Sequence, residues 1–210
     1  MATGSAPLRK DARRNRERLV AAAREVFAER GLDVALDEVA RRAGVSIGTL
    51  YNRFPTRADL VEAVFADRVE AVARIAEHAL SMDDAWDGFT HFVEQICRMQ
   101  AADRGYNDLA ARRIPQAVPT AAQAHGYQLM TRILDRAQRA GALRADFTVE
   151  DMAFVTWAIT RTIEATAEVN PTAWRRHLAL ILDGLRAPAA HPLPEPPMLP
   201  DQVARIMRDC

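Results

Sequence analysis

In "VARRAGVSIGTLYNRFPTRADL", Val39 to Leu60, a glycine and a proline cut a helix-period pattern into pieces too short to be stable alone. Gly44 accepts a left-handed backbone that a Cβ would penalise, and Pro55 cannot continue a helix. Short helices become stable by packing. The stretch therefore demands a small bundle of crossed helices built around a tight turn. Carboxylates in the first turn of Asp37–Ala43 suit a helix N-terminus, and Ser46 is placed to cap a helix running to Phe54. Thr56 is placed to cap the next.

Upstream, Leu19, Ala23, Val26 and Phe27 recur at helical spacing between Arg13 and Arg30, with Gly31 at the expected stop. Downstream, Leu60, Val61, Val64, Phe65, Val69, Val72 and Ile75 keep the period, which predicts a long helix from Arg57 to about Leu80. The remainder reads as helices over about Asp83–Asp103, Asn107–Arg113, Thr120–Ala140, Thr148–Val169 and Pro171–Arg186. Thr148 with Asp151 has the spacing of a capping box, and Asn170-Pro171 is a start signal. No strand pattern competes. Six of the eleven prolines fall between Ala187 and Pro200, which predicts a linker or a strap along the surface, followed by a short helix at Gln202–Arg208. The class is all-α. Four regions are expected: a disordered basic arm (1–12), a three-helix DNA-binding domain (13–58), a helical bundle for ligand binding and dimerisation (59–186) joined to it by the long helix, and a Pro-rich tail (187–210).

The formal charge is zero, but residues 1–58 hold 12 Lys and Arg against 7 Asp and Glu, and the rest 16 against 21. The excess at the N-terminal end suits phosphates, or is a solvated leader. It needs a reading element beside it. Two short helices on a glycine turn are the helix-turn-helix arrangement, whose second helix enters the DNA major groove. At about 100° per residue, Gly48, Thr49, Tyr51, Asn52 and Arg53 share the arc away from Leu50, while Val45, Leu50 and Phe54 face the scaffold. Thr49, Tyr51 and Arg53 carry donors for phosphate oxygens, and Asn52 pairs a donor with an acceptor as adenine requires. Ser46 is the cap, Gly48 permits close approach, and Ile47 can meet a thymine methyl. The plain alternative is an amphipathic surface helix.

"LDEVARRAGVSIGTLYNRFPTRADLVEAV", Leu36 to Val64, resembles the DNA-binding signature of the TetR family of bacterial transcriptional regulators. The resemblance covers about residues 13–65; beyond them it is architectural. It implies that Thr49 and Tyr51 contact backbone and base edges, and that Arg57 stands where the family usually has a phosphate-binding lysine. Arg53 replaces the more usual histidine, keeping a donor whose charge is independent of pH. It further implies a homodimer on a palindromic double-stranded DNA operator, most often a repressor released by a small-molecule effector; a cytoplasmic location is expected from the lack of a signal-peptide pattern and of a membrane-spanning run. A regulator without an effector is the alternative.

The resemblance places the dimer seam on the last two long helices, where Trp157, Trp174, Leu178, Leu182 and Leu185 are candidates; each is otherwise an intrachain core position. For a largely apolar effector the candidates are Trp86, Phe89, Phe92, Met99, Tyr106, Tyr127, Met130, Met152 and Phe154, again residues that any core contains. Arg161 is placed to pair with an acidic effector, or with Glu164 or Glu168. An enzyme is not expected: none of Ser5, Ser46 and Ser81 lies in a nucleophile motif, there is no phosphate loop, and His78, His91, His125, His177 and His191 are dispersed. No cofactor or metal site is expected. Cys97 and Cys210 read as free thiols. No apolar run of about 18 residues is available to span a bilayer, and no signal-peptide pattern opens the chain.

Overall fold

The computed structural model describes residues 5–103, 105–107 and 121–209. The elements are α1 (Ser5–Arg30), α2 (Leu36–Ala43), α3 (Ile47–Arg53), α4 (Arg57–Ser81), α5 (Ala85–Ala102), α6 (Ala121–Arg139), α7 (Val149–Thr166), α8 (Ala173–Leu185) and α9 (Pro200–Asp209). A short 3-10 turn, Ala187–Ala189, follows α8. Among the described residues there is no strand, only a bridge between Leu143 and Arg186. The helix expected near Asn107–Arg113 lies outside the described residues from position 108 onward.

Helix α1 begins earlier than expected. Residues 5–12, read as part of a disordered arm, are helical. No glycine interrupts Ser5–Arg30, and Pro7 falls in the first turn, where a missing N–H costs nothing.

The chain forms two compact units, Met1–Asp67 with Arg104–Tyr106, and Arg68–Asp103 with Asn107–Cys210; α4 contributes to both. In the first, Leu19, Ala23, Val26 and Phe27 of α1 are buried with Val39 and Ala40 of α2, Leu50 of α3, and Leu60, Val61 and Val64 of α4. Tyr106 joins this unit, its ring 6.0 Å from that of Phe65. Arg42 reaches back from α2 to Glu25 and Glu29 of α1, at 3.3 and 3.1 Å. That contact holds the Glu29 carboxyl below its ordinary range, chiefly through the Arg42 hydrogen bond.

The second unit encloses a core of Phe89, Phe92, Val93 and Cys97 from α5, Leu129, Ile133 and Leu134 from α6, Met152 and Ile159 from α7, and Trp174, Leu178 and Leu182 from α8. Arg136 of α6 ties off the C-terminus of α4, donating to the carbonyls of Ala79 at 3.2 Å, Leu80 at 3.3 Å, Asp83 at 2.8 Å, and Met82. The first two are among the last carbonyls of α4, which have no intrahelical partner, and the other two belong to the residues just after it. The capping box at Thr148 and Asp151 forms as expected. The Pro-rich tail is a strap: Arg144 donates to the His191 carbonyl at 2.8 Å and is ion-paired with Asp146. Arg186 lies 4.4 Å over the Trp86 ring. Among the described residues no helix is long and apolar enough to cross a membrane.

Candidate nucleic-acid interface

Gly44, at φ +65°, turns α2 into α3, with its N–H donating to Arg41 and that of Val45 to Ala40. These are the six-to-one and shorter bonds that close a helix on a left-handed residue. Ser46 then caps α3, its Oγ accepting from the Thr49 N–H at 3.2 Å. Phe54 is buried and ends the helix, and Arg16 of α1 stands 5.5 Å over its ring. Thr56 and Asp59 cap each other reciprocally at the start of α4.

This scaffold fixes the rotation of α3. Leu50 is 0% exposed while its neighbour Tyr51 is 49% exposed. Gly48, Asn52 and Arg53 are exposed with Tyr51, and Thr49 is half-buried. A Cβ on Gly48 would meet only the Ser46 hydroxyl, so a partner's backbone can approach there closely. Thr49 and Ser46 share a hydrogen bond between hydroxyls at 2.9 Å. Ser46 is thus engaged in capping, and Ile47 is half-buried. Arg53 has no hydrogen-bond or ion-pair partner among the described residues, unlike Arg24, Arg30 and Arg42, which are matched to carboxylates. The surface offers one aromatic hydroxyl, one amide and one unpaired guanidinium on a single arc, the set that base edges and phosphates engage.

Arg57, expected at a phosphate-binding position, is engaged within the protein. Its guanidinium donates to the carbonyls of Leu32 and Val34, the latter at 2.9 Å, and so braces the link between α1 and α2.

The expected effector residues divide between the core and the surface. Trp86, Phe89 and Phe92 are closed core, with Trp86 and Phe89 rings 5.6 Å apart and Phe89 and Phe147 rings 6.2 Å apart. Met152 is core, Met99 and Met130 are half-buried, and Tyr127 is exposed. Tyr106 belongs to the other unit. Phe154 pairs edge-on with Trp157, and Arg161 binds Glu164 at 2.6 Å on the surface. Of the expected seam residues, Trp174, Leu178 and Leu182 are buried within their own chain, Leu185 packs against the same core, and Trp157 is half-buried. Trp174, Leu178 and Leu182 recur every four residues, and the exposed large hydrophobic side chain of α8 is Leu180. Sequence reasoning passed over Gln100, Asn107 and Thr160, which are buried polar side chains. Nothing local distinguishes them from surface residues, because their burial is decided by distant helices.

Two family models match the chain: bacterial regulatory proteins of the tetR family over residues 19–64, and the C-terminal domain of SbtR-like transcriptional regulators over residues 84–187. The HTH-type transcriptional regulator TtgW of Pseudomonas putida is 33% identical over 78 residues, 37% of this chain and 58% of TtgW, so the match spans little more than half of that relative. The TetR transcriptional regulator SCO0520 of Streptomyces coelicolor is 30% identical, covering 81% of this chain and 98% of its own, with a TM-score of 0.51. RolR, solved with resorcinol, is 25% identical over 89% of this chain and 98% of its own, with a TM-score of 0.51. Because the likeness runs through both the DNA-reading end and the C-terminal bundle, the chain belongs to the TetR family of bacterial transcriptional regulators, which bind DNA through a helix-turn-helix and are not enzymes.

Proposed function

We propose that the protein is a cytoplasmic repressor that binds a two-fold-symmetric operator as a homodimer and is released by a small, largely apolar effector held in the C-terminal bundle. The observation that carries the DNA reading is the rotation of α3, with Leu50 sealed in the core and Tyr51, Asn52 and Arg53 presented together. Asn52 reads a base edge; Thr49, Tyr51 and Arg53 engage phosphates and adjacent edges; Ser46, Ile47 and Arg57 hold the helix and its scaffold in place. RolR, a relative of similar fold, was solved with a small hydroxylated arene, and this supports an effector-released mechanism.

Release needs only an effector that favours a conformation in which the two reading heads of the dimer are wrongly spaced, and a coupling of about 1–3 kcal/mol makes a switch. The closed packing of Trp86, Phe89 and Phe92 favours the second reading, a regulator with no small-molecule effector. Selecting DNA fragments with the purified protein tests the first part: the recovered sites should share a palindrome. Tyr51→Ala should then weaken specific binding by more than about 1 kcal/mol, the worth of one good contact, with the fold intact. Unchanged affinity in a folded Tyr51→Ala protein removes α3 as the reader. Saturable operator binding that no metabolite reverses favours the second reading.

A further inference from the structure

Thr156, Thr162 and Thr166 of α7 each return their hydroxyl to the carbonyl one turn back, at 3.1, 2.9 and 2.7 Å. This is how a threonine within a helix satisfies itself. Thr160 does not. It is 0% exposed, and its Oγ1 has no hydrogen-bond partner among the described residues. Two more oxygens share the condition: Oε1 of Gln100 in α5 and Oδ1 of Asn107, both on side chains 2% exposed. Buried polar atoms are nearly always paired, and each orphan costs free energy.

All three side chains belong to the second unit. Asn107 Nδ2 donates to Glu164 Oε1 at 3.3 Å, and Thr160 lies one helical turn before Glu164. Asn107 N–H donates to the Asp103 carbonyl, and Asp103 N–H to that of Gln100. A carboxylate only accepts, so the bond to Glu164 fixes which end of the Asn107 amide is nitrogen and leaves Oδ1 as the open acceptor. The two carboxylates are already matched: Glu164 with Arg161 at 2.6 Å, and Asp103 with Arg68 at 3.1 Å. An anionic ligand would sit against two carboxylates. Two amide oxygens and a hydroxyl instead call for donors.

We propose that Gln100, Asn107 and Thr160 form the polar end of the effector site, and that this site takes a neutral ligand presenting hydroxyl or amide N–H donors. The inference rests on the effector-released reading above. It replaces the aromatic pocket expected around Trp86 and Phe89 by a site defined by unmet acceptors.

The test uses the full chain and three groups of probes: catechol, benzyl alcohol and benzamide as neutral donors, benzoate and phenyl phosphate as anions, and toluene and anisole as donor-free arenes. A neutral donor should raise the melting temperature saturably, and the other groups should not. Thr160→Val and Gln100→Met remove an orphaned acceptor at nearly constant shape. Each free variant should melt at or above the wild-type temperature, and each should bind the responding probe about tenfold more weakly, the worth of one hydrogen bond. The proposal is overturned if either variant melts several degrees lower, if no neutral donor responds, if anions or donor-free arenes respond as well, or if the variants bind unchanged. A compound that releases the operator equally from wild type and Thr160→Val sinks this site and leaves the repressor reading standing. Failure of every metabolite to release DNA sinks that reading instead.

Discussion

The guanidinium of Arg57 holds two carbonyl oxygens 23 and 25 residues upstream, Val34 and Leu32, and its loss removes both of these bonds. Hydrogen bonds to charged groups contribute more than neutral ones, so Arg57→Ala should lower stability by about 1–3 kcal/mol in denaturant titration. The slope of log affinity against log salt should stay unchanged. A phosphate contact would give the reverse, intact stability and a slope smaller by about one. Cys97 makes a second residue-scale case. Burial pushes its thiol up to about 12 from 9.0. The folded state therefore binds a proton that the unfolded state gives up between these values, and stability should fall as pH rises through that window. At pH 8 the folded thiol is neutral, so Cys97 should resist alkylation by iodoacetamide until the protein unfolds, as read by peptide mapping. Rapid native labelling at that position would contradict its burial. The chain itself names Arg57 and Cys97; their partners lie far off in sequence, and only the folded bundle supplies them.

Two glycines in helix interiors show why element-level packing decides the sign of a substitution. Glycine to alanine in a helix ordinarily stabilises by up to about 1 kcal/mol. Gly126 in α6 has nothing within 4 Å of an added Cβ, and Gly126→Ala should follow that rule. At Gly88 in α5 the Cβ would overlap the Ala79 carbonyl oxygen at the end of α4, an oxygen that Arg136 already holds. Gly88→Ala should cost about 1–3 kcal/mol, as overpacking of a close approach does. Thermal denaturation of both variants decides, and equal signs would mean that α4 and α5 are not so close. The local signals were readable in the sequence, since the Ser46 cap, the Gly44 turn and the Thr148 box are built within a few residues. The period of Trp86, Phe89 and Phe92 was readable too, but not whether they face a ligand or Phe147, which approaches from 58 residues away. The early start of α1 was masked by its charge, which looks like an arm although Ala6, Leu8, Arg9, Lys10 and Ala12 are good helix formers.

At the scale of the whole molecule, one face of α8 is consumed inside the chain. Trp174, Leu178 and Leu182 are 3%, 2% and 7% exposed, whereas Leu180, half a turn away from Leu178, is 60% exposed. A two-fold dimer, as proposed above, requires a self-complementary surface, and a large apolar side chain left outside is what such a surface buries. The two leucines therefore predict opposite phenotypes. Leu178→Ala should lose about 2–5 kcal/mol of stability, the cost of a cavity in a packed core, whatever the oligomeric state. Leu180→Glu should retain its helical content, turn a dimeric mass into a monomeric one by light scattering at micromolar concentration, and lose tight binding to a palindrome while keeping weak binding to a half-site. A Leu180→Glu protein that stays dimeric places the seam on another face. A Leu178→Ala protein that is fully stable but monomeric would return that residue to the interface, against its burial here.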